Sequence, residues 1–329
     1  MKVLVTGGAG YAGSVATRAL LERGHQVRVF DSLVYGGQGL LGVFDEDAFE
    51  LVRGDVRSAD AVADALAGVD AVVHLAAIVG DPACARSPDL AREVNLSASL
   101  QLLDACRKRG VGRLVFASTC SNYGKMDDPL RYATEETELR PISLYAETKV
   151  AVERAMLASE DRNGPSPTVL RFATLFGLSP RMRFDLTVNE FTLRLMVDRR
   201  LVVYGEQFWR PYVHVRDAAE AIALVLDCPQ DKVGGKVFNV GDTTQNYRKG
   251  QLVDLIRGEI GVDTEIERVD KQEDPRDYRV SFKRISQDLG FEITRTVMDG
   301  VRQIADAIRQ EIIVDFDNPK YTNLQEQHG

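Results

Sequence analysis

Tyr145 and Lys149 stand four residues apart in Tyr145-Ala-Glu-Thr-Lys149, and the pair can do acid–base chemistry. On a helix this spacing puts both side chains on one face. A phenol titrates near pH 10, so a tyrosine acting as a base at neutral pH needs its pKa lowered by roughly 3, about 4 kcal/mol. A neighbouring ammonium and a second positive charge on a bound cofactor supply that together. Thr119, in the run Ala117-Ser-Thr-Cys-Ser-Asn-Tyr-Gly124, adds a hydroxyl that can hold a substrate oxygen while Tyr145 takes its proton.

A second constellation lies at the N-terminus. In Thr6-Gly-Gly-Ala-Gly-Tyr-Ala-Gly13, the residues Gly7, Gly10 and Gly13 are spaced G-x-x-G-x-x-G between a short apolar run and a helical stretch. Such a turn lets the backbone approach a pyrophosphate, and the amides of the following helix face the anion. Asp31 closes the next apolar run about twenty residues on, where a carboxylate bonds ribose hydroxyls. Its charge repels a 2′-phosphate, so the pattern favours NAD over NADP. Asp55-Val56 follows a third apolar run, where an adenine edge would sit. His74-Leu-Ala-Ala77 follows a fourth, and His74, surrounded by apolar residues, reads as packed rather than catalytic.

These residues need a scaffold. Strands are predicted at Val3–Thr6, Val27–Phe30, Phe49–Arg53, Ala71–Ala76, Leu114–Ala117 and Thr168–Arg171. Helices are predicted at Ser14–Arg23, Ala59–Ala67, Leu90–Arg109 and Tyr145–Ala158. The alternation implies βαβ units: an α/β chain with a doubly wound parallel sheet covered by helices. After about residue 171 the spacing loosens and arginines gather. A buried strand is predicted at Lys236–Gly241, and helices at Gln251–Gly258 and Thr296–Gln310. Residues 1–171 read as the cofactor half, rejoined by about 210–241. Residues 172–329 read mainly as a substrate half, with a polar tail or partner-binding arm from about Asp315.

Composition narrows the function classes. A chain of 329 residues suggests two domains or one large one. The formal charge of -8 argues against nucleic acid or an anionic membrane as partner. Cys84, Cys106, Cys120 and Cys228 are too scattered for a disulfide framework or a metal site. No apolar run approaches a membrane span, and the N-terminus does not read as a signal peptide, so the expected compartment is the cytoplasm.

Taken together, the glycine turn, Asp31, Asp55-Val56, His74–Ala77, Asn95, Ser118–Gly124 and the Tyr145/Lys149 pair resemble the extended short-chain dehydrogenase/reductases, specifically the branch of nucleotide-sugar epimerases and dehydratases. The resemblance covers nearly the whole chain. It implies a Rossmann-type domain with a smaller C-terminal α/β substrate-binding domain, and NAD held by Gly7, Gly10, Tyr11, Ala12, Asp31, Asp55, Val56, Leu75, Ala76, Ala77, Asn95, Ser118, Tyr145 and Lys149. It implies Tyr145 as base, Lys149 on the nicotinamide ribose and depressing the tyrosine pKa, and Thr119 as third catalytic residue. It also implies a homodimer formed through Leu90–Arg109 and Tyr145–Ala158.

The same resemblance places a nucleotide-diphosphate sugar against Thr119, Cys120, Ser121, Thr174, Arg183, Asn189, Arg210 and Arg276. Asn189 and Arg210 match residues that contact the diphosphate, and Arg276 is a second clamp, since an arginine fork suits phosphate oxygens. Arg181-Met-Arg183 is positioned to grip a phosphate or a sugar carboxylate. Thr174 stands where many galactose epimerases carry asparagine. The 4,6-dehydratases follow their threonine with Asp-Glu, the acid and base of water elimination; here Thr119 is followed by Cys120-Ser121. That disfavours dehydration and leaves a C4 epimerase working through a transient keto-sugar. A dehydrogenase or 4-ketoreductase is the enzymatic alternative, and a nonenzymatic dinucleotide sensor the alternative from another class.

Overall fold

The computed structural model describes residues 1–128, 131–158, 164–270 and 276–323. Seven strands form one all-parallel sheet: β1 (Lys2–Thr6), β2 (Gln26–Asp31), β3 (Phe49–Arg53), β4 (Ala71–His74), β5 (Arg113–Thr119), β6 (Ser166–Phe172) and β7 (Lys236–Val240). Their spatial order is β7-β6-β5-β4-β1-β2-β3, a doubly wound Rossmann-type arrangement. The winding reverses between β1 and β4, and in such sheets ligands bind in the crevice outside the carboxyl ends there.

Alternation along the strands builds two cores. Val3 and Val5 of β1 join Val29, Val73 and Val115 under α1 (Tyr11–Glu22). Leu4 points the other way and joins Phe30, Val72, Leu114 and Phe116. That second face is covered by α2 (Ala59–Ala65), α3 (Ala98–Arg109) and α4 (Leu144–Leu157), which contribute Val62, Leu102, Leu103, Val152 and Met156.

The predicted helix Leu90–Arg109 is interrupted. A short α segment, Pro88–Arg92, runs into a π-helical turn at Glu93–Ser97, and only then does α3 begin. Widened turns of this kind gather at functional sites, and Asn95 sits inside this one.

The second half holds structure that the sequence pattern did not reveal. Trp209–His214 lies between Asn246–Arg248 and Thr174–Phe176 in a small sheet, and Arg200–Tyr204 pairs with Glu265–Val269. Helices α5 (Thr187–Val197), α7 (Lys249–Ile260) and α8 (Val297–Arg309) pack on these strands, whereas α6 (Val215–Asp227) returns to the large sheet beside α1. Thr296 and Asp299 cap α8 reciprocally.

The expected C-terminal tail is corrected for the described part, residues 315–323. Phe316 and Tyr321 pack on Phe184 because they are the aromatic residues of an otherwise polar stretch. Residues 324–329 of that expected tail lie outside the described residues.

Candidate active site

The crevice at the switch point is built on two glycines whose missing side chains are required. Gly7 has φ +74°, and a Cβ there would lie 2.7 Å from the Ala76 amide nitrogen. A Cβ on Gly13 would lie 2.1 Å from the Gly7 carbonyl oxygen. The turn therefore touches both the end of β4 and the first turn of α1. Gly10 provides no capping side chain, so amides at the start of α1 are left for an anion.

Asp31 lines the crevice with its carboxylate held in place. Its two carboxylate oxygens each accept one backbone amide, from Ala9 at 3.0 Å and from Leu33 at 2.8 Å. Each keeps acceptor capacity for a hydroxyl. Burial raises the carboxyl pKa, offset by those two amide bonds. Asp55 and Val56 line the crevice, and Arg57 grips the Asp55 carboxylate, holding its pKa below the ordinary range. Leu75, Ala76 and Ala77 also line the crevice, with Ile78 and Val79.

Several residues around the crevice are tied into the protein by their own hydrogen bonds. Asn95 is almost fully buried, and its side-chain amide takes both backbone groups of Ile78, at 2.8 and 2.9 Å, fixing the loop that lines the crevice. The Ser118 hydroxyl donates to Glu153 Oε2 at 2.9 Å, inside a buried network with Asn122, Arg171 and Tyr123. The Tyr11 hydroxyl donates to the Gly177 carbonyl at 2.7 Å, joining the phosphate turn to the second half, while the residue itself lines the crevice along with Ala12. His74 is packed: Thr6 and Ser99 occupy its two ring nitrogens, and burial pushes its pKa down to about 3.

Helix α4 presents the acid–base pair. Ser143 caps it, accepting from the Ala146 amide and donating to Asp81 Oδ1 at 2.7 Å. Lys149 is buried; its ammonium donates to the Ala117 carbonyl at 2.8 Å and sits 5.9 Å from the centre of the Tyr145 ring. Burial depresses its pKa to about 8. Burial holds the Tyr145 phenol well above its ordinary value; Cys84 and Asp81 push it further up, and the charge that lowers it belongs to Arg183. Without a cofactor's charge, Tyr145 is therefore a protonated phenol.

Thr119 ends β5, and its hydroxyl caps the next turn by accepting from the Ser121 amide at 3.1 Å. The Ser121 hydroxyl lies 3.4 Å from the Tyr278 hydroxyl. Cys120 turns away: its thiol bonds the Arg171 carbonyl at 3.2 Å, and burial raises its pKa well above that of an ordinary thiol. Thr174 pairs with Tyr212 in the small sheet, while its neighbour Leu175 lines the crevice.

The diphosphate candidates separate. Asn189 is corrected: it is fully buried, and its amide is occupied by the Gly177 nitrogen, the Arg183 carbonyl and the Tyr11 hydroxyl. It shapes the turn between the halves instead of facing a ligand. Arg210 is also buried, stacked 5.5 Å from the Tyr278 ring, and its Nη1 grips the carbonyls of Trp209 and Arg276. Arg276 bonds Asp81 Oδ2 at 2.9 Å, bridging to the helix Asp81–Arg86. Arg183 lines the crevice and is paired with Asp185 at 2.6 Å. Among the described residues no cluster of three or more His, Cys, Asp or Glu could hold a metal, and no helix is long and apolar enough to cross a membrane.

A family model for the NAD dependent epimerase/dehydratase family matches residues 3–241. The chain belongs to this family. A UDP-glucose 4-epimerase of Corynebacterium glutamicum is 31% identical over 311 residues, covering 88% of this chain and 90% of that protein. A dTDP-glucose 4,6-dehydratase of Streptomyces niveus is also 31% identical, covering 92% and 90%. Among solved structures, a Streptomyces venezuelae dTDP-glucose 4,6-dehydratase with NAD bound superposes with a TM-score of 0.84 at 28% identity, covering 94% of this chain and 97% of that one. A Thermus thermophilus UDP-glucose 4-epimerase in complex with NAD gives 0.81 at 29%, covering 94% and 99%. Family membership makes the chain an NAD-dependent enzyme of the epimerase/dehydratase type, and the glycine turn and Asp31 fit that cofactor.

Residues absent from the sequence reading also line the crevice: Ser32, Tyr35, Gly36, Arg57, Ile78, Val79 and Asn323. The segment after β2 was legible by its place behind Asp31. Asn323 was not, since nothing in its neighbourhood marks a return to the first half.

Proposed function

We propose that the enzyme is a C4 epimerase of nucleotide-diphosphate sugars. One observation carries this reading. The turn after β5 keeps Thr119 but has Cys120 and Ser121 where elimination needs an acid and a base, and the Cys120 thiol is buried and bonded to Arg171. Bound NAD supplies a hydride acceptor that becomes the donor for the return step. Thr119 and Tyr145 bracket the sugar hydroxyl; Tyr145 takes its proton as the hydroxyl is oxidised and gives it back when the keto-sugar is reduced on its other face. Lys149, tied to Ala117, holds the nicotinamide ribose. Residues 1–171, rejoined by 210–241, serve the cofactor, and the remainder serves the sugar nucleotide through Ser121, Tyr278 and the Arg183, Arg210 and Arg276 segments. A homodimer through the faces of α3 and α4 accords with the exposure of Leu100 on α3.

The test is a panel of UDP-, dTDP-, GDP-, ADP- and CDP-hexoses, with products identified by NMR. An epimerase gives a C4 epimer with no net change in NAD or NADH. Loss of the C6 hydroxyl refutes the reading in favour of dehydration, and stoichiometric consumption of NAD or NADH refutes it in favour of a dehydrogenase or ketoreductase. No product with any sugar nucleotide points to a dinucleotide sensor.

A further inference from the structure

The C-terminal segment is fastened to the loop after Gly177 by hydrogen bonds through its own main chain. The Phe184 amide donates to the Tyr321 carbonyl at 2.8 Å, Arg181 Nη2 to the Thr322 carbonyl at 3.1 Å, and the Asn323 amide to Asp185 Oδ2 at 3.3 Å. The Phe184 ring meets Tyr321 and Phe316 edge-on, with centres 5.5 and 6.1 Å away. The result carries Arg181 and Asn323 onto the wall of the cofactor crevice.

Both side chains are more than nine-tenths buried, with 6% and 8% of their surface exposed. Each has a buried polar atom with no protein partner: the Nε donor of Arg181 and the Oδ1 acceptor of Asn323. Folded chains rarely leave such atoms unpaired, because burial without a bond is costly. Both atoms belong to residues that line the space where the dinucleotide binds.

The surroundings of Arg181 indicate which part of the dinucleotide it meets. Its guanidinium lies 4.3 Å over the Tyr35 ring, in the segment that follows Asp31. Its stem backs onto Gly39, where a Cβ would come 3.3 Å from Arg181 Cβ and 2.9 Å from the Ala9 carbonyl of the glycine turn. The arginine thus stands between the phosphate turn and the ribose carboxylate. Arg183 adds a second cation to the same wall. Burial and the charge of Arg183 together disfavour the Arg181 cation, a strain that an anion relieves.

We propose that Arg181 is a ligand of the cofactor's phosphates and Asn323 an acceptor for one of its ribose hydroxyls. The C-terminal segment carries Asn323 and pins Arg181 through the Thr322 carbonyl, so it acts as a strap that holds NAD in place. The assignment rests on NAD as cofactor and holds equally for an epimerase or a one-way oxidoreductase.

The test uses the full chain stripped of nucleotide and titrated calorimetrically with NAD, ADP-ribose and adenosine. Arg181→Gln is expected to raise the Kd of NAD and ADP-ribose about tenfold or more, the loss of one charge-assisted bond, while adenosine changes less than about twofold. Arg181→Lys is expected to recover part of the loss, and Asn323→Ala to raise the NAD Kd about three- to tenfold. Melting of the nucleotide-free variants reports folding. If Arg181→Gln fails to fold, Arg181→Lys and Asn323→Ala carry the test. Folded variants that bind NAD and ADP-ribose within about twofold of the parent overturn the proposal. So does an Arg181→Gln protein that loses adenosine as severely as ADP-ribose, since that outcome means collapse of the crevice and not loss of a phosphate ligand.

Discussion

Replacing Asp31 with asparagine changes one atom and one charge at the ribose end of the crevice. In the parent, Oδ2 accepts from Ala9 and Oδ1 from Leu33, and both oxygens retain a lone pair for the ligand. An asparagine supplies one acceptor oxygen, so one of those amides meets an NH2 group and is left unsatisfied. That costs the folded protein about 1–3 kcal/mol. Toward NAD, the variant loses one charge-assisted bond to a ribose hydroxyl, about 1.5–3 kcal/mol, which raises Kd about 10- to 150-fold. Toward NADP, it loses a repulsion instead. A carboxylate about 4 Å from a phosphate charge contributes about 4 kcal/mol in a partly wet crevice. The two effects multiply in the ratio, so the ratio of NADP to NAD dissociation constants should fall by about 10⁴–10⁵-fold. Calorimetric titration of nucleotide-free parent and variant with both cofactors measures it. A ratio unchanged within about threefold, in a variant that melts cooperatively, refutes the assignment of Asp31 as the discriminating residue.

Tyr145→Phe should lower turnover about 10²–10⁴-fold while changing the Kd of NAD by only about tenfold or less, the loss of one hydroxyl bond; substantial residual turnover would remove Tyr145 from the role of base. Lys149 gives a pH signature. Its folded pKa of about 8 lies below the 10.5 of an unfolded lysine, so between those values the unfolded chain binds more protons and stability from this group rises with pH, by about 3 kcal/mol in all. Urea unfolding of nucleotide-free protein should therefore show the parent gaining on Lys149→Met from pH 7.5 to pH 10, and parallel profiles would contradict the burial argument. Glu153→Ala should destabilise the fold by about 3–5 kcal/mol, because Arg171 is then a buried cation without its carboxylate, and the double variant Glu153→Leu/Arg171→Met should recover much of that. A loss below about 1 kcal/mol in the single variant would mean that water reaches the pair.

The cofactor half was largely readable before folding, because its signals are local. Strands of β-branched residues, the glycine turn and an acid at the end of β2 are consecutive in the chain, and each acts through its own backbone geometry. The i, i+4 pair of α4 is equally local. The π turn at Glu93–Ser97 escaped notice because its cause lies elsewhere: Asn95 must face Ile78, which comes from the loop after β4.

Sequence alone determined the parallel α/β architecture, the phosphate turn, the ribose carboxylate and the tyrosine–lysine pair. Tertiary structure decided what each polar group has left to offer once its neighbours are in place. Asn189 and Ser118 look like ligand residues by type, but their side chains are occupied by Gly177, Arg183 and Glu153. Within the protein alone, burial holds the Tyr145 phenol above its ordinary value, and the Lys149 ammonium is tied to the Ala117 carbonyl. Arg181 and Asn323, 142 residues apart in sequence, meet at one wall because Phe184 packs between two aromatic rings of the C-terminal segment. Residue type and spacing reveal capacity for a bond; only the packed chain shows which of those bonds are already made.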